Sequence, residues 1–158
     1  DGTDGVGMRV SAPEEYGIRC LVQLARHAKS PDPVTVRQIA DGEGLSMAYA
    51  QKLLVALARA RLATSTRGTR GGYRMTRPPD RVTVGDVIRA LEGFPKPTVL
   101  CKRFTGNAEC CVHTVVCGLR AVWSRVSNQV ERLLDRVPLS TLLEPEQKVA
   151  SSIETLRP

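Results

Sequence analysis

Thr35-Val-Arg-Gln-Ile-Ala40-Asp-Gly-Glu-Gly-Leu45-Ser46-Met-Ala-Tyr49-Ala-Gln51-Lys-Leu-Leu54-Val-Ala-Leu57, followed by Leu62-Ala-Thr-Ser-Thr66-Arg-Gly-Thr-Arg70-Gly-Gly72-Tyr-Arg-Met75, is the stretch that decides the fold. Thr35 is a helix N-cap, and the apolar Val36, Ile39 and Ala40 follow at helical spacing until Gly42 and Gly44 stop the helix. Ser46 caps a second helix, in which Leu53, Leu54, Leu57 and Ala58 share one face. Two short capped helices separated by a glycine turn form a helix-turn-helix. Leu62–Thr66 and Gly72–Met75 then read as strands joined by a glycine-bearing hairpin, which after a helix-turn-helix is a wing.

Outward from this unit the periodicity stays helical. Pro13 to His27 places Ile18, Leu21, Val22 and Ala25 on one stripe, with Ser11 as N-cap. Thr83 to Gly93 forms a further short helix, and Pro95-Lys-Pro97 separates it from a cysteine-rich segment. Beyond it Leu119, Val122, Trp123, Val126, Val130, Leu133, Leu134 and Val137 recur every three or four positions until Pro138. One apolar stripe on so long a helix, following a small winged module, predicts pairing with a second copy of the chain. The expected fold is therefore mainly α, a winged helix-turn-helix with a β-hairpin wing and a long C-terminal dimerisation helix. Residues 1–7 are expected to be a tag or disordered lead before Met8. Residues 8–94 are expected to bind DNA, 95–118 to form a cysteine loop, 119–143 to dimerise, and 144–158 to be a partly disordered tail.

The chain has 158 residues, of which 42% are apolar, enough for one modest domain with a buried core. Only six residues are Phe, Tyr or Trp, so that core is aliphatic. No membrane-spanning apolar run and no secretory leader is evident, which predicts a cytoplasmic protein with no membrane partner. The net charge is +7, and the seven arginines from Arg59 to Arg81 face a single acid, Asp80. Such a block is the electrostatic footprint of phosphate binding.

The expected partner is double-stranded DNA, read by a homodimer on an imperfect palindrome. Ser46, Tyr49, Gln51 and Lys52 lie at the start of the second helix, where side chains reach base edges or phosphates in a major groove. Gln51 is the expected base reader. Arg67, Arg70 and Arg74 on the wing reach phosphates or a narrow minor groove.

The segment Cys101-Lys-Arg-Phe-Thr-Gly-Asn-Ala-Glu-Cys110-Cys111-Val-His113-Thr-Val-Val-Cys117 holds four of the five cysteines. Thiolates this dense can ligate zinc or an iron-sulfur cluster, form a disulfide, or sense oxidants. In a reducing compartment, metal ligation or sensing outranks a structural disulfide. Cys20, inside the first helix, reads as a buried structural thiol. No catalytic constellation is present: the chain has two histidines, His27 and His113, and neither a phosphate-cradling glycine loop nor a carboxylate pair in an evident pocket.

The order of these parts resembles the Rrf-type winged-helix transcription regulators, which include the bacterial iron-sulfur assembly regulator and the nitric-oxide-sensitive repressor. The segments that carry the resemblance are Met8-Arg-Val-Ser11, Arg67-Gly-Thr-Arg-Gly-Gly-Tyr-Arg74, Arg77-Pro-Pro79, Val82 to Gly93, and the cysteine loop running into Leu119-Arg-Ala-Val-Trp123. The resemblance implies a homodimer whose long crossing helix brings each cysteine loop near the first helix of the other subunit. It implies three cysteine ligands, matched here by Cys101, Cys111 and Cys117, with Cys110 and His113 in reserve. The histidine that is the fourth ligand of the 2Fe-2S assembly regulator is replaced here by Arg120. The carboxylate that ligates from the partner subunit in nitric-oxide-sensing members is matched by Glu15. In another member type a histidine follows that carboxylate one turn later, where this chain has Arg19. Three thiolates and one oxygen suit a 4Fe-4S cluster, with 2Fe-2S the alternative.

The expected function is thus a cluster-containing DNA-binding regulator that senses nitric oxide, redox state or iron-sulfur status. The competing readings are a regulator of the same fold using thiols or zinc without a cluster, and a small redox enzyme. The enzyme reading has no Cys-x-x-Cys to stand on and gives the wing arginines no role.

Overall fold

In the computed structural model, residues 10–68, 71–94, 102, 105–106, 108–109, 111–113 and 117–156 are described. Helix α1 spans Ala12–Arg26, α2 Val36–Glu43, α3 Met47–Arg59, α4 Val84–Leu91, α5 Gly118–Leu134 and α6 Glu146–Glu154. Strands β1 (Ala63–Thr66) and β2 (Gly72–Met75) pair antiparallel, with Ala63 opposite Met75 and Thr66 opposite Gly72. Among the described residues the protein is mainly helical with one two-stranded wing, as the periodicity predicts.

Local chemistry places the helix starts. Ser11, Thr35 and Thr83 each close a capping box with Glu14, Gln38 and Asp86 respectively, and Ser46 accepts from the Tyr49 N–H at 3.2 Å. α2 ends at Gly44, whose φ of 65° is the left-handed conformation that glycine adopts without a Cβ clash. The wing is seated on the helical unit through Val34, which exchanges backbone hydrogen bonds with Tyr73 at 2.7 and 3.0 Å. That approach needs Gly72, since a Cβ there would stand 2.8 Å from the Val34 carbonyl carbon.

The core is built from Leu21 and Leu24 of α1, Ile39 of α2, Leu54 and Leu57 of α3, Val82, and Val87 of α4. Each fully buried side chain of this kind contributes roughly 1.5 to 3 kcal/mol. Leu139 joins the same core from the far side of α5. After Pro138 the chain turns back: Leu139 N–H donates to the Val82 carbonyl at 2.7 Å, and Val84 N–H to the Val137 carbonyl at 2.9 Å. A second cluster, of Val84, Ile88 and Val137 with Leu134, Ile153 and Leu156, fastens α6 and the end of α5 to α4. The tail read as partly disordered thus carries a helix over Glu146–Glu154, because its apolar Ile153 finds this cover.

An ion-pair cluster reinforces the junction. Arg89 reaches Asp86 at 3.1 Å, Glu131 at 3.2 Å and Asp135 at 2.6 Å. The Asp135 Oδ1 contact is close but poorly directed, so this buried oxygen has a charge partner and no well-aligned hydrogen bond. The short polar contact with the Asp135 carboxylate, then the hydrogen bond to Asp86, holds the Arg89 guanidinium above its ordinary range against the opposing effect of burial. Burial pushes Asp86 up, but hydrogen bonds from Thr83 and Arg89 more than reverse this, so its carboxyl lies below the usual range.

Candidate nucleic-acid interface and cysteine-bearing loop

Helix α3 divides cleanly into two faces. Ala50, Leu53, Leu54 and Leu57 are buried, whereas Met47, Ala48, Gln51 and Lys52 are exposed. Positions 47, 48, 51 and 52 recur at the i, i+4 spacing of one helical face, so the outward surface is continuous. Ser46 is exposed at its start, with its hydroxyl engaged in capping. Tyr49 is half-buried, and its ring meets Tyr16 of α1 edge-on at 6.0 Å and 82°.

Gln51 is exposed, and its Nε2 donates to Tyr73 Oη of β2 at 2.9 Å. Arg67 is exposed beside the hairpin turn. Arg74 is half-buried and donates from Nη1 to the Ser30 carbonyl at 3.1 Å, which anchors its guanidinium on the loop after α1. Arg70 lies outside the described residues. The outward faces of α3 and the wing thus present Lys52 and Arg67 with the amide of Gln51 among them, cations for phosphates and a bidentate group for a base edge.

Of the cysteine loop, Cys101 and Cys110 lie outside the described residues. Cys111 and Cys117 are free thiols, both partly exposed. Cys117 is the N-cap of α5, its Sγ accepting the Arg120 N–H at 3.4 Å, so the thiol stands where the positive end of the helix dipole begins. His113 is exposed, and its carbonyl accepts from Arg120 Nη2 at 3.1 Å. Glu15 is exposed in the first turn of α1, while its neighbour Glu14 is buried in the capping box. Among the described residues of one chain, no three His, Cys, Asp or Glu side chains gather into a metal-binding group. The accessible thiols of Cys111 and Cys117 and the exposed Glu15 carboxylate are donor types that a metal or iron-sulfur centre can take.

Arg19, one turn after Glu15, is committed elsewhere. Its Nε pairs with Glu43 at the end of α2 at 2.6 Å, and its guanidinium lies 5.2 Å above the Tyr16 ring. The Glu43 hydrogen bond raises it above its ordinary range. Cys20 is fully buried, as its place among Leu21 and Leu24 requires.

Residues 10–145 match the Rrf2 family, described as iron-dependent transcriptional regulators. The chain belongs to that family. Protein rrf2 of Nitratidesulfovibrio vulgaris is 34% identical over 136 residues, covering 86% of this chain and 87% of that protein. The solved structure of T. potens IscR superposes with a TM-score of 0.67 at 28% identity, over 96% of this chain and 93% of that one. That of CymR, the global cysteine regulator of B. subtilis, does so with a TM-score of 0.67 at 29% identity, over 86% and 96%. As an Rrf2 protein this chain is a DNA-binding transcription regulator with a winged-helix fold, and its relatives are regulators rather than enzymes. No helix among the described residues is long and apolar enough to cross a membrane.

Proposed function

We propose that this Rrf2 regulator acts in the cytoplasm as a homodimer on an imperfectly palindromic operator, and that an iron-sulfur cluster on the Cys101–Cys117 loop sets its DNA affinity. The observation that carries the reading is the position of Cys117: it caps the helix that bears the unpartnered apolar stripe, so ligand chemistry and subunit pairing share one element. Cys101, Cys111 and Cys117 are the thiolate donors, and Glu15 of the partner subunit supplies the oxygen. Cys110 and His113 stand beside them as reserve donors. Bound there, the cluster supplies a redox-active and nitric-oxide-reactive centre, 4Fe-4S in preference to 2Fe-2S, through which nitric oxide, redox state or iron-sulfur status is sensed. Arg67 and Lys52 hold phosphates and Gln51 reads a base; Arg70 and Arg74 complete the wing.

Anaerobic purification followed by absorption spectroscopy tests the cofactor. A brown protein is expected, with colour lost on replacing Cys101, Cys111 or Cys117 by Ala, kept in Cys110→Ala, and made more labile by Glu15→Ala. A colourless wild-type protein whose DNA affinity changes with thiol oxidation supports instead the cluster-free reading. A colourless, redox-silent protein with one metal per chain supports zinc.

A further inference from the structure

We propose that the outward face of α3 reads adenine and thymine together, with Tyr73 of the wing strand positioning the Gln51 amide against the adenine edge and Met47 covering a thymine methyl. The inference rests on the DNA-binding reading and adds to it which base pair is recognised and by which residues.

A glutamine amide has two N–H donors and one carbonyl acceptor. One donor of Gln51 is already taken by Tyr73 Oη at 2.9 Å. What remains is one donor beside one acceptor, the pattern that matches adenine N7 and N6 in the major groove and no other base there. The tether also fixes an otherwise freely rotating side chain, so less conformational freedom is lost when the base is bound. Tyr73 is well suited to hold it: the residue is 6% exposed, and its backbone is locked to Val34 on both sides. The hydroxyl is thus an immobile post between wing and recognition helix.

Met47 is the second element. It begins α3, four residues before Gln51 on the same face, and 46% of it is exposed although methionine is apolar. A large apolar side chain left uncovered beside a polar base reader fits the one apolar feature of the major-groove floor, the C5 methyl of thymine.

The test uses the full-length dimer. Binding-site selection from randomised duplexes defines the half-site, and each thymine in it is then replaced by deoxyuridine, which removes only the methyl. The selected half-site should hold an A·T step whose adenine is preferred by roughly 5- to 150-fold, the range of a bidentate contact. Tyr73→Phe keeps the ring and should flatten that preference several-fold while leaving the salt dependence of binding unchanged, whereas a merely structural role would weaken binding to all sequences alike. Deoxyuridine at one thymine should cost the wild type about three- to fourfold, the value of a buried methyl, and cost Met47→Ala nothing. A Tyr73→Phe protein with the wild-type base ranking overturns the positioning role, and indifference of the wild type to every deoxyuridine overturns the Met47 contact. The deoxyuridine series needs no variant, so it decides even if Tyr73→Phe folds poorly. Salt-dependent binding with no A·T preference sinks this inference and leaves the regulator reading intact, whereas no binding to duplex DNA sinks both.

Discussion

A single thiol illustrates how burial becomes a measurable property. Cys20 is fully buried in α1, and desolvation pushes its thiol up to about 11, aided by the Glu43 charge and opposed by Arg19. The protonated form is therefore the one the folded state favours. Because the folded value lies above the unfolded one of about 8.5, the stabilisation is fully present below the unfolded value and is lost as pH rises toward the folded one. Denaturant unfolding should show a loss of about 2 to 3 kcal/mol between roughly pH 8.5 and 11 that is absent in Cys20→Ala after normalisation to neutral pH. Alkylation under native conditions should spare Cys20 while labelling Cys111 and Cys117. Equal loss in both proteins would assign the alkaline transition to other groups.

At the scale of elements, the helix starts were legible because caps are local chemistry. Ser11, Thr35, Ser46 and Thr83 sit in the sequence just before apolar periodicity begins, and each is an N-cap in the structure. Hairpin glycines placed the wing in the same way. What stayed hidden depends on partners distant in sequence: nothing near Leu139 announces that it fills the core beside Val82, and nothing near Gln51 announces a bond to Tyr73, 22 residues on. α6 was missed because Val149 and Ile153 are too sparse to signal a helix without knowing the surface they cover. α5 is the element whose outward face carries the most consequence. None of its residues is buried, and Leu119, Val122, Trp123 and Val126 leave 44 to 61% of their surface uncovered along one side. Val126→Asp should convert a dimer into monomers by light scattering and abolish specific binding, with little loss of monomer stability because the position is exposed. A Val126→Asp protein that stays dimeric would remove α5 as the pairing helix.

For the whole molecule, charge distribution governs how tightly DNA is held and packing governs where the reading heads point. With the basic block confined to the winged unit, a dimer making on the order of 6 to 10 phosphate contacts should lose about 10³- to 10⁵-fold in affinity between 50 and 200 mM salt. Arg67→Ala should weaken all sequences alike and make the salt slope shallower, and an affinity that ignores salt would refute this electrostatic account. The fold and the basic character of the winged unit could be read from the chain because caps, periodicity and charge are properties of neighbouring residues. The proposed cluster site could not, since its proposed donors belong to a loop and to a second subunit, and no spacing within one chain encodes such a meeting.

Fixing one end of α5 has a mechanical consequence. Leu134 is packed against α4 and Arg89 clamps Glu131 and Asp135, while Cys117 and Leu119 at the other end touch no core. Seventeen residues make a rod about 25 Å long, so the winged head is the fulcrum of a lever and the cysteine end is its handle. A shift of about 1 Å at the handle tilts the rod by roughly two degrees, and in a symmetric pair the two tilts add across the dimer axis. On the operator proposed above, two heads set a helical turn or a small multiple apart would feel angles of that size, and a small chemical event at Cys117 would have the leverage to decide whether both bind at once.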